Sequence, residues 1–74
     1  MMDTIPKNLI DATDDFYVAY VESYGKLKDY YGIFYNNGVL VKYHYILFPN
    51  SRENAIREMD RLQEEEDLKS ELFN

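Results

Sequence analysis

The sequence predicts an α+β fold of β-β-β-α order, a three-stranded antiparallel sheet followed by one long C-terminal helix. Two changes of texture along the chain carry that expectation. Residues 16–48 hold three runs, FYVAYVES, KLKDYYGIFY and VLVKYHYILF, dense in the β-branched and aromatic residues that fit a pleated surface. From residue 49 the chain reads PNSRENAIREMDRLQEEEDLKSELFN, rich in good helix formers and without glycine.

Each element has its own justification. Residues 1–15 combine Pro6 with small polar residues and one apolar pair, Leu9 and Ile10, and read as an N-terminal arm. The three strands occupy residues 16–48. Between the second and third, Asn37 and Gly38 of an NNG step suit the positive φ angles of a tight hairpin turn. The connection SYGK offers only Gly25 as a strong turn residue, and an up-down meander is the simplest pairing order. The helix is expected over residues 50–72, with Ser51 as N-cap. Its apolar stripe is Ala55, Ile56, Met59 and Leu62, spaced by three and four. Glu53 with Arg57, and Arg61 with Glu65, stand at the i,i+4 spacing of supporting ion pairs. Leu68 and Leu72 fall on the opposite side of a straight helix from Met59 and Leu62, which points to contact with a second copy of the chain or another partner.

Size and charge then limit the function classes. A chain of 74 residues forms a single domain, 1–74, with a core near the lower limit of unaided burial. With no cysteine, it has neither a disulfide framework nor a thiolate metal site, and a reducing compartment, the cytoplasm, is expected. Its first residues lack the basic and apolar regions of a signal peptide, and no run approaches the roughly 20 apolar residues of a membrane span. The formal charge is −6, from 14 acids and 8 bases. Such a surface repels phosphate and anionic lipid, so direct nucleic-acid or membrane binding is disfavoured and a basic protein partner is favoured.

Eight tyrosines in so short a chain are more than a core this size needs. On the second strand Tyr31, Ile33 and Tyr35 share one face, while Tyr30 and Phe34 share the other. One helix covers one face of a sheet, so aromatic surface is left over, and Tyr30, Tyr31 and Tyr35, with Leu68, Leu72 and Phe73, are candidates for a homodimer or partner contact. Chemistry of other kinds finds little footing. His44 is the sole histidine and sits in YHY on a strand with no partner acid or nucleophile in the pattern. Consecutive helical carboxylates diverge, and the spacing of a calcium loop is missing. DYYGIFY resembles the aromatic strand of an RNA-recognition motif but lacks its basic residues. No enzyme activity, metal or cofactor is expected.

The residues that remain are the acids of the helix. Residues 58–67 hold six acids, Glu58, Asp60, Glu64, Glu65, Glu66 and Asp67, against one base, Arg61. Acids spaced along a helix present negative charge at a density comparable to the one phosphate per roughly 3.4 Å of a DNA strand, which makes these six the candidate partner-binding residues of a DNA mimic. A short, acidic, tyrosine-rich chain without cysteine, with EMDRLQEEED in its helix, resembles the host-takeover proteins of bacteriophages, and the sliding-clamp inhibitors of staphylococcal phages among them. That resemblance implies a homodimer in the basic channel of the bacterial DNA polymerase clamp, excluding DNA and stopping replication. Anti-CRISPR proteins share the build and imply a nuclease groove as target; a phage assembly module is the alternative in which the acids only solubilise. The tail KSELF resembles the leucine-phenylalanine ending of clamp-binding peptides at Leu72 and Phe73, although Lys69 stands where such peptides open with glutamine.

Overall fold

The computed structural model describes residues 8–22, 28–46 and 49–73, with the side chains of Leu72 and Phe73 outside that set. Four strands and one helix follow in order: β1 (Leu9–Ala12), β2 (Phe16–Val21), β3 (Tyr30–Tyr35), β4 (Leu40–Tyr45) and α1 (Ser51–Phe73). The strands form a single antiparallel sheet in the order β1-β2-β3-β4, a meander in which every neighbour in sequence is a neighbour in space. The α+β class and the long C-terminal helix agree with the sequence expectation, while the number of strands does not.

The extra strand is β1, which occupies part of the expected arm. It is short, irregular and mostly exposed, and it exists because β2 gives it a ladder to join. Leu9 lies opposite Ala19 and Ala12 opposite Tyr17, with a bulge between Leu9 and Asp11. The bulge turns Ile10 toward the helix side, where it packs on the core. The β1 to β2 turn is closed by the Thr13 N–H donating to the Phe16 carbonyl, 2.8 Å. Residues 1–7 and the Gly25 turn lie outside the described residues.

The hairpin between β3 and β4 also differs in detail. Gly38 takes a positive φ of 93°, but no residue other than glycine does so among the described residues, Asn37 included. The loop therefore has three residues: the Gly38 N–H donates to the Tyr35 carbonyl at 2.8 Å and the Tyr35 N–H to the Val39 carbonyl at 2.9 Å. That is a turn followed by a left-handed glycine, in which the Asn37 side chain accepts from the Val39 N–H instead of bending its own backbone.

α1 crosses one face of the sheet and touches β2, β3 and β4. Phe16 and Val18 from β2, Ile33 from β3, and Ala55 and Met59 from α1 make the buried core, with Ile10, Tyr31, Val41 and Leu62 packed round it. Each large side chain so buried contributes about 1.5–3 kcal/mol, so a core this small depends on polar ties as well. Gln63 supplies one. It continues the Ala55, Met59 line by four residues, is buried, donates to Asp15 Oδ2 and accepts from the Asp15 N–H, both at 2.8 Å. At the other end Ser51, expected as a cap, is the first helical residue, and its hydroxyl donates to the Tyr45 carbonyl at 2.7 Å. Helix start and helix middle are thereby pinned to opposite ends of the sheet.

Beyond Gln63 no described residue of the helix is fully buried. Twenty-three residues span about 34 Å at 1.5 Å each, against about 20 Å for a six-residue strand. Residues 64–71 are exposed apart from the half-buried Glu66, and the helix runs unbroken past Asp67. Leu68 is 59% exposed for that reason, and because it faces away from the Met59 line.

Candidate functional site

The six acids expected to act together divide into two groups. Glu58 is half-buried and held by Lys42 Nζ of β4 at 2.6 Å and by Arg61 Nη2 at 2.5 Å. The hydrogen bond from Arg61, then that from Lys42, pull its carboxyl down to about 2. Arg61 reaches Glu65 as well, at 2.9 Å, so both acids of this flank share one guanidinium. The pair expected between Glu53 and Arg57 is not formed. Glu66 follows the core-facing line past the edge of the sheet, with Lys69 Nζ 3.9 Å away.

Asp60, Glu64 and Asp67 behave differently. At 100° per residue they lie within about 60° of one another on the outer flank of α1. Glu53 and Glu71 fall on the same flank, and all five are exposed. Among the described residues none of the five has an ion-pair partner; Asp67 accepts a hydrogen bond from Gln63 Nε2 at 3.1 Å, which leaves its charge uncancelled. Asp60, Glu64, Asp67 and Glu71 climb the helix in steps of four, three and four residues, or roughly 6, 4.5 and 6 Å. Glu71 was not singled out from the sequence because it stands apart from the dense EEED run. Its signal is the spacing, which only a helix continuous to Phe73 makes meaningful.

The opposite face of the sheet carries a second candidate surface. Strand register places Tyr17, Tyr30, Phe34, Tyr43 and Tyr45 on the side away from α1. Tyr17 stacks on Phe34 with centroids 5.0 Å apart, and Tyr30, Tyr43 and Tyr45 meet in tilted and edge-on pairs at 5.0–6.5 Å. Leu9 and Leu40 extend the patch on the two edge strands, 39% and 41% exposed. No residue of the described strands that points to this side is charged.

Of the three tyrosines expected at a contact surface, only Tyr30 lies here. Tyr31 packs against the core on the helix side, edge-on to Tyr20, and Tyr35 stacks on Phe16 on that same side. β3 alternates as its sequence predicts, and the position of α1 on the Tyr31, Ile33, Tyr35 side is what leaves Tyr30 and Phe34 on the uncovered one. The contact residues Leu72 and Phe73 belong to the α1 backbone, and their side chains lie outside the described residues.

Two other polar features carry no comparable arrangement. Tyr20 donates to Asp29 Oδ2 at 2.5 Å, and that bond pushes its phenol up to about 12, which keeps it protonated. His44 faces the helix side of β4, opposite Tyr31, with Nε2 buried and without a hydrogen-bond partner among the described residues. Among the described residues no helix is long and apolar enough to cross a membrane. No protein-family model matches the chain, and no curated protein or solved structure matches it.

Proposed function

We propose that the chain is a non-enzymatic bacteriophage inhibitor that imitates DNA and occupies the basic DNA-binding channel of a host protein, the bacterial sliding clamp above all. The single observation that carries this reading is the row of unpaired acids, Asp60, Glu64, Asp67 and Glu71, on a helix that extends past its own sheet. A solvated helix face that served only solubility would gain from pairing its charges at i,i+4, as Arg61 and Glu65 do on the neighbouring flank. Here the acids are instead left open on the flank and concentrated toward the negative end of the helix dipole, where no basic residue stands in the last turn. Charges arranged at a cost to the helix gain their return from a cationic partner. A basic channel built for phosphates would be reached quickly under electrostatic attraction and blocked by the bulk of the sheet behind the helix.

The test is kinetic. Association of the chain with a purified bacterial sliding clamp is measured at about 50 mM and about 300 mM salt, a change that shortens the Debye length to roughly 5–6 Å. Wild type should associate quickly and with a steep salt dependence. Replacing Asp60, Glu64, Asp67 and Glu71 by asparagine or glutamine should slow association by about tenfold or more and flatten the slope. Glu65→Gln, which removes an acid already shared with Arg61, should change little. Equal rates and equal slopes for wild type and the fourfold variant would end the DNA-mimic reading. Salt-sensitive binding to a nuclease, with none to the clamp, would move the target to the anti-CRISPR class.

A further inference from the structure

We infer that Leu68 is the residue that keeps a bound partner in place. It packs on the hydrocarbon stems of the lysine and arginine side chains that line a cationic protein groove, while the neighbouring carboxylates meet their charged ends. This rests on the DNA-mimic reading and divides its work in two: the acids set the rate of arrival and one leucine sets the time of residence. Leu68 is the only apolar residue between positions 64 and 71. At 59% exposed it is the most open large apolar side chain among the described residues. A single leucine in water needs no explanation on an ordinary surface. This one stands beside the acidic row. At 100° per residue it lies about 40° from Glu64 and about 60° from Glu71, one turn away on either side, with Cβ atoms about 5–6 Å apart. Glu65, which accepts from Arg61, borders it on the other flank.

Exposed carboxylates alone give a weak hold. They speed the encounter with a cationic surface, but each solvent-exposed ion pair adds little once formed and fades as salt rises. The lifetime of a complex is set by dissociation, and there a desolvated apolar contact counts for more. Lysine and arginine carry hydrocarbon stems beneath their charges, and these stems lie along apolar surface while the heads are engaged nearby. A groove lined by such residues therefore presents both the charge that Asp60, Glu64, Asp67 and Glu71 complement and the hydrocarbon that Leu68 complements. The helix delivers the two together, because residues 64–71 are exposed apart from the half-buried Glu66 and the helix runs unbroken through them.

The experiment measures association and dissociation rates with a purified bacterial sliding clamp for wild type, Leu68→Gln and Leu68→Met, at about 50 mM and about 300 mM salt. Leu68→Gln keeps the helix propensity and the net charge and removes the apolar tip. It should leave association unchanged and speed dissociation by about five- to twentyfold, the effect of burying the exposed part of one leucine. The factor should be the same at both salt concentrations, because apolar contact is not screened as charge is. Leu68→Met, which conserves volume and apolar character, should stay within about twofold of wild type. Equal dissociation of wild type and Leu68→Gln overturns the inference and leaves the DNA-mimic reading standing. Slower association with unchanged dissociation also overturns it, since Leu68 would then act on the encounter, and so does a changed circular dichroism spectrum, since Leu68 would then serve the fold. A wild type without salt-steered association to the clamp removes the DNA-mimic reading, and the inference falls with it.

Discussion

At Gly32 the missing side chain is what lets the Phe34 ring lie back across its own strand. A Cβ there would meet Phe34 Cε1 at 2.6 Å and Leu40 Cδ1 at 3.2 Å. Gly32→Ala should swing the ring off Tyr17 and cost about 1 kcal/mol, the low end for overpacking because Phe34 is only half-buried on the face away from the helix. Urea unfolding measures the cost, and Gly32→Ala combined with Phe34→Leu should recover part of it. Glu58 tests a different force. Its carboxyl is held at about 2 when folded, below its ordinary 4.5, so its contribution is fully present above about 4.5 and is lost as pH falls toward 2. Glu58→Gln should therefore lower stability by about 0.5–1 kcal/mol at neutral pH and by progressively less through that window, read from urea midpoints. Sequence alone put Glu58 among the partner-binding acids. Its capture by Lys42 depends on β4 and α1 being packed together, which no spacing along the chain announces.

Among the elements, α1 was the most legible and β1 the least. The helix declares itself through Ala55, Met59 and Leu62 and an uninterrupted run of helix formers. β1 has four residues and only two large apolar side chains, and its strand character comes from β2, a tertiary cause that local composition does not carry. Gln63 escaped notice for a related reason: a polar side chain continues the buried line, and the partner that justifies it, Asp15, is 48 residues away. Gln63→Ala should cost about 1–3 kcal/mol, since the Asp15 N–H and carboxylate both lose their protein partner. Leu68→Ser, five residues on, should stay within about 0.5 kcal/mol, because that side chain has no sheet beneath it. Both shifts can be read from the same denaturant titration.

For the molecule as a whole, the two surfaces lie on opposite sides of one sheet, and the sequence showed both ingredients without showing their separation. Surplus rings and surplus acids were countable; which side each faced required the helix to be placed. Neutralising Asp60, Glu64, Asp67 and Glu71 would bring the formal charge from −6 to −2. That change should stabilise the isolated chain by about 0.5–1 kcal/mol, through relief of repulsion and of the helix dipole, while it slows clamp association. Thermal melts of wild type and variant check the sign. The meander has a last consequence, in time instead of in space. With each strand paired to its neighbour in sequence, hairpin closure spans short loops and low contact order favours rapid folding. The long separation belongs to the docking of α1, fixed by Gln63 on Asp15 and Lys42 on Glu58. A chain made on the ribosome can thus zip its sheet from the N-terminus before the acidic helix has emerged, and leave the charged segment until a surface exists to receive it.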